Sequence, residues 1–187
     1  MTAIRFDRRR ADVLNLDALV AGMAGITPRV GAYLAEAAVT CLEQERHNPD
    51  VDMRIDGACE HRLRVRWTEQ GDAAQRARAW GDADVATESG ACGIAALLVT
   101  ELTDYTVVER ARKGPGFDYW LGRKDGSALL FQEKARLEVS GVRRGDDPAI
   151  ESRVRRKMKQ IEPSDNGLPG VVAVVEFGSP RTRVMTK

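Results

Sequence analysis

The chain has 187 residues, with 29 Lys and Arg against 28 Asp and Glu for a formal net charge of +1. Binding to nucleic acid by bulk charge needs a large basic excess, so this balance excludes a simple polycation and leaves local clustering to supply any phosphate-binding surface. Apolar residues at 43% can bury a real core, whereas aromatics at 5% do not supply rows of base-stacking platforms.

Residues 11 to 25 carry Val13, Leu16, Leu19 and Val20 at helical spacing, and Gly22 and Gly25 close that segment. Thr27 as a cap and Pro28 at the first helical position, where a missing N–H costs nothing, announce a second helix. Its residues Val30, Tyr33, Leu34, Ala37, Ala38, Cys41 and Leu42 fall on one stripe, which predicts a continuous buried face and a helix running to about Arg46. At Val51 the period changes to two. Val51, Met53 and Ile55, then Leu63, Val65 and Trp67, alternate with polar residues and predict a β-hairpin whose wet face carries Arg62, Arg64 and Arg66.

Residues 72 to 83 read as partly helical. A longer helix follows from about Asp84 to Thr103, burying Ala91, Ile94, Ala95, Leu98 and Leu102. The chain then reads as a strand (TVVERA), a turn (KGPG), a strand (FDYWLG), a turn (RKDGSA), a long strand (LLFQEKARLEVSGV), a helix opened by Asp147 and Pro148, and a last strand GVVAVVEF. The VVAVV run is apolar on both faces and belongs in mid-sheet. Cys41, Cys59 and Cys92 are odd in number and widely spaced, and His47 and His61 are too few for a histidine metal site. With no signal-like N-terminus and no stretch of about 18 apolar residues, the expectation is a reduced cytoplasmic protein with no membrane partner.

The polar residues that break the strand patterns fall in register. Asp118 faces the same way as Trp120, opposite Phe117, Tyr119 and Leu121, and Glu138 shares a face with Arg136 and Ser140. Adjacent antiparallel strands would then offer one carboxylate each at a common edge. Such oxygens suit Mg²⁺, which takes one or two carboxylates, keeps several waters and leaves room for a substrate phosphate. A pair of salt-bridged strand residues is the ordinary alternative.

The order from Glu88 on its helix, through YTVVERARK and GPGFDYWLG, to ARLEVSGV resembles the PD-(D/E)xK nuclease superfamily over residues 84 to 177. The GFDYWLG and ARLEVSG blocks also resemble those of a group of bacterial proteins. The superfamily resemblance implies an α/β fold with a central mixed β-sheet flanked by helices, a restriction-endonuclease-like core at 84–187. A helical and β-hairpin region at 1–83 would precede it, or the whole would form one compact domain. It further implies a Mg²⁺- or Mn²⁺-dependent hydrolase acting on nucleic acid, DNA favoured over RNA. Asp118 looks like the motif Asp, Glu138 like the third-strand acid and Glu88 like the helix Glu, while the Val139 carbonyl is similar in position to the family's backbone metal ligand. The departures are Ser140, where the family carries its catalytic Lys, and Phe117, where it often has Pro. Loss of that Lys opens a second reading, a catalytically degenerate binding module for nucleic acid or a partner. The frame Gln132-Glu133-Lys134 does not restore it, since Lys134 lies about 13 Å from Glu138 at strand rise.

A replacement can come from the next helix. Ile150, Val154, Met158 and Ile161 span an arc of about 80°, and Lys157 falls about 20° outside it with Arg153 about 60° outside, while Arg155 and Lys159 point away. Lys157 is then the cation placed under the sheet edge, beside Arg153 and Gln160, unless it only snorkels at the core rim. Residues 143 to 160 hold seven cations against three acids. Arg143, Arg144, Arg153, Arg156 and Gln160, joined by Lys113, are the expected nucleic-acid contacts. Glu36 is either a further acid near the site or an exposed residue, and the helices of residues 11 to 46 are a surface for a homodimer or a partner protein.

Overall fold

The structure is a computed structural model that describes residues 4–69, 71–112, 114, 116–124, 135–164 and 167–187. The elements follow in the order β1 (Val13–Asn15), α1 (Pro28–Gln44), β2 (Val51–Gly57), β3 (His61–Arg66), α2 (Ala73–Ala79), α3 (Ala83–Leu102), β4 (Tyr105–Arg110), β5 (Tyr119–Arg123), β6 (Ala135–Val142), α4 (Asp147–Ile161), β7 (Gly170–Glu176) and β8 (Arg181–Thr186). The eight strands form one mixed sheet in the order β1-β3-β2-β8-β7-β6-β5-β4, flanked by helices, so the fold is α/β. The expected turn after Lys124, the start of the long strand before Ala135, and Lys113 lie outside the described residues.

The VVAVV run shows why the sheet has two covered faces. Val171, Ala173 and Val175 join the core shared with α1 and α3, while Val172 and Val174 join a smaller core with Ile150, Val154 and Ile161 of α4. A strand in that position must be apolar at every residue. On the first face α3 lies directly on β6, because Gly141 has no side chain: a Cβ there would stand 2.4 Å from the Thr87 carbonyl oxygen. By length and composition α3 is also apolar enough to cross a membrane, but most of it is buried inside this fold.

Four sequence expectations are corrected. Residues 11 to 25 are not a helix: Val13–Asn15 pairs in parallel with β3, and only Leu16–Ala21 turns, as a 3₁₀ segment. The Asn15 side chain accepts from the Asp17 N–H at 3.1 Å and Gly22 ends the turn at φ 78°, which leaves no room for more. The buried face of α1 is also discontinuous, since Val30 and Tyr33 are 44% and 48% exposed. Gly31 is the point of contact in that turn, where a Cβ would meet the Leu19 carbonyl oxygen at 1.8 Å, and this turns the neighbouring Val30 and Tyr33 outward. At α4 the cap is Asp146, which accepts from the Ala149 N–H at 2.9 Å, while Asp147 is free of that task and pairs with Arg181. Finally, β8 follows the strand that the sequence reading ends on. It pairs antiparallel with β7 and parallel with β2, and so joins the hairpin to the rest of the sheet.

Candidate metal and phosphate site

The site begins where β5 and β6 part. Their ladder ends with the Asp118 N–H donating to the Leu137 carbonyl at 2.9 Å, and the next free donor, the Val139 N–H, is taken by Asp118 Oδ2 at 2.8 Å. Gly116 sets this geometry. Its φ of 82° is open to glycine, and a Cβ would lie 2.3 Å from the Gln160 carbonyl oxygen, so α4 can approach the strand's start. Phe117 therefore leaves the expected alternation. It packs edge-on to Trp120, centroids 4.6 Å apart, in the core under α4 rather than beside Tyr119 and Leu121.

Glu138 points to the same side from mid-strand and is only 1% exposed. Lys157 donates to its Oε1, and Gln160 Nε2 donates to the same oxygen at 3.0 Å. Its Oε2 is buried with no hydrogen-bond partner. Burial pushes the Glu138 carboxyl up to about 7, the neighbouring Asp118 charge adds to this, and the Lys157 ammonium offsets only part of it. A buried oxygen without a donor, beside a second carboxylate, is where a cation or a proton is most strongly held.

Beside these groups lies a pocket of about 530 Å³, between the N-terminal halves of α1 and α3 and the helix α4, and the buried Glu138 is not part of its lining. Asp118, Val139 and Lys157 line it, with Glu88 on the α3 side and Arg153, Arg156 and Gln160 on the α4 side. The helical wheel thus places Lys157 where the structure has it, and Arg155 and Lys159 are exposed. Ser140 is buried and receives Arg153 Nη1 at 3.4 Å. Arg143 and Arg144 are not part of the pocket. They are tied to the C-terminal end of α1, through the Cys41 carbonyl at 3.3 Å and Glu45 Oε2 at 2.5 Å. Glu36 is likewise engaged elsewhere, accepting from Trp80 Nε1 at 2.8 Å.

Sequence reasoning did not find Val30, Tyr33, Ser89 and Cys92, which also line the pocket. Val30 and Tyr33 looked like core by their spacing, and nothing in the local sequence marks the outward turn. Burial pushes the Cys92 thiol up to about 12, with the Asp118 charge adding to it, so this sulfur is a neutral wall at ordinary pH. Arg110, at the same opening, donates to the Tyr119 hydroxyl at 3.0 Å.

Among the described residues no group of three or more His, Cys, Asp and Glu side chains is arranged to cage a metal. The side-chain donors are the two carboxylates, a set that fits an ion of the Mg²⁺ or Mn²⁺ type, which takes one or two carboxylates and fills its shell with water and phosphate. Compared with protein-family models, curated proteins and solved structures, the chain finds no match.

Proposed function

We propose that the protein is a metal-dependent phosphodiesterase acting on nucleic acid, with DNA favoured, as the resemblance to PD-(D/E)xK nucleases implies. The observation that carries this reading is that Asp118 and Lys157 line a pocket edged by Arg153, Arg156 and Gln160, with Glu138 buried against Lys157. Asp118, Glu138 and the backbone at Val139 would hold Mg²⁺ or Mn²⁺. When bound, such an ion supplies Lewis acidity toward a phosphoryl oxygen.

The chain's own residues do the remaining work. The Val139 N–H fixes the Asp118 carboxylate, so the strand backbone sets that ligand's direction. Arg153 and Arg156 offer guanidinium forks to the phosphate oxygens. Lys157 donates to Glu138. With phosphate present, its ammonium is the group that orients a water and offsets charge at phosphorus, the task of the strand Lys that Ser140 replaces. Glu88, exposed on α3, is the remaining acid at the rim.

A panel of Mg²⁺, Mn²⁺ and EDTA with plasmid, linear and single-stranded substrates tests this reading. Wild type should cleave in the presence of the cation and Asp118→Ala should lose at least about 100-fold of that rate. Cleavage that survives Asp118→Ala unchanged contradicts it. The second reading, a binding module without catalysis, is favoured by Ser140 and by the near-complete burial of Glu138. Its mark is binding with a steep salt dependence and no cleavage under any divalent ion.

A further inference from the structure

The two walls of the pocket differ in chemistry. On α4 it is cationic: Arg153 reaches only the Ser140 hydroxyl, and Arg156 has no acid partner among the described residues. Across the opening α1 presents Val30 and Tyr33, two of the four large apolar side chains that the described residues leave exposed. An exposed apolar pair facing unneutralised guanidinium groups calls for a ligand that is anionic at one end and flat and apolar at the other.

Tyr33 is also held in place. Its ring leans on that of Trp80, centroids 4.7 Å apart at 45°, and its hydroxyl meets Ser89 Oγ at 3.3 Å. Trp80 in turn is buried and anchored by its bond to Glu36. A ring fixed from behind loses little freedom when something stacks on its open side. A volume of about 530 Å³ lies within the range, about 300–1,000 Å³, that encloses a small ligand or a single unit of a larger one. Bases inside a duplex show no face to such a ring, whereas an unpaired base does.

We infer that the pocket takes single-stranded nucleic acid, with one unpaired base stacked on Tyr33 and its neighbouring phosphate on Arg153 and Arg156. This rests on the phosphodiesterase reading for what the carboxylates do, and adds to it which strand reaches them. It also agrees with the low aromatic content, since one fixed platform needs no row of rings.

Binding of labelled oligo(dT), oligo(rU) and a duplex of equal length, measured in EDTA so that neither metal nor cleavage enters, tests the inference. Wild type should prefer the single strands. Tyr33→Ala should weaken them by about tenfold and leave duplex binding unchanged, and Tyr33→Phe should stay within about twofold of wild type. Tyr33 dependence on either strand supports the proposal, the tighter one naming the sugar that is read. Val30→Glu is a second probe that keeps the fold, because it places an acid three residues after the Thr27 cap, where helices favour one. It should also weaken single-strand binding, with an unchanged melting temperature. The proposal is overturned if Tyr33→Ala binds single strands like wild type, or if wild type binds the duplex more tightly or binds neither. Asp118-dependent cleavage with no Tyr33 effect strikes this inference alone, while a Tyr33 effect without cleavage strikes the phosphodiesterase reading alone.

Discussion

Glu138 is the residue on which the site's electrostatics turn. In the fold its carboxyl is raised from 4.5 to about 7, so the native state holds a proton that the unfolded chain has already released. The sign follows: between about pH 4.5 and pH 7 the unfolded state binds fewer protons, and stability falls as pH rises through that window. In EDTA the melting temperature of wild type should therefore drop between about pH 5 and about pH 8. Glu138→Gln, which cannot ionise, should gain on wild type over the same interval. Parallel melting curves for the two proteins would show that burial does not raise this group. At this scale the sequence was most readable where geometry is strictly periodic. Lys157 and Gln160 reach Glu138 because helical angles place them beside the Ile150–Ile161 stripe. Tyr33 was not readable, because its outward turn depends on Gly31 meeting the Leu19 carbonyl, a contact between segments.

Among the elements, α3 packs directly on β6. Gly141 is where the two backbones meet, and Gly141→Ala would drive a Cβ to within 2.4 Å of the Thr87 carbonyl oxygen. Overpacking of this kind costs about 2 kcal/mol, which for a chain of this length lowers the melting temperature by about 6 °C. An unchanged melting temperature would mean that α3 can retreat from the strand. Caps and periods made the long helices legible, and α1 and α3 begin and end within a few residues of expectation. Short elements were not. Three strand residues at Val13–Asn15 carry no period of their own and become a strand only because β3 offers an open edge.

Across the whole molecule, the parallel pairing of β2 with β8 makes the hairpin continuous with the strands that carry the site. Asp56 marks that seam: it is almost fully buried on β2 and receives Arg183 Nε of β8 at 2.5 Å. Asp56→Ala leaves the largely enclosed Arg183 guanidinium with, among the described residues, only its longer contact to Glu151 at 3.5 Å and should cost about 2 kcal/mol, read by chemical denaturation. No loss of stability would show the pair to be incidental. Such a seam is illegible in the sequence, since local pattern says nothing of which distant strand will pair, and the arginines of RTRVMT look solvated until their acids are found. The near-zero net charge, already resolved in the sequence into a cationic stretch at 143–160, gains a geometry in three dimensions, where Asp118 lines one pocket with Arg153, Arg156 and Lys157 of α4 and Glu138 is buried against Lys157.

The central claim, that Lys157 serves the carboxylate pair in place of the missing strand lysine, is tested most directly by comparing Lys157→Ala with Lys159→Ala in single-turnover cleavage with Mg²⁺ or Mn²⁺. Both remove one positive charge from α4, but only Lys157 reaches Glu138. The account predicts a loss of about 100-fold or more for Lys157→Ala and less than about threefold for Lys159→Ala. Equal losses for the two variants, or full activity of Lys157→Ala, would contradict it.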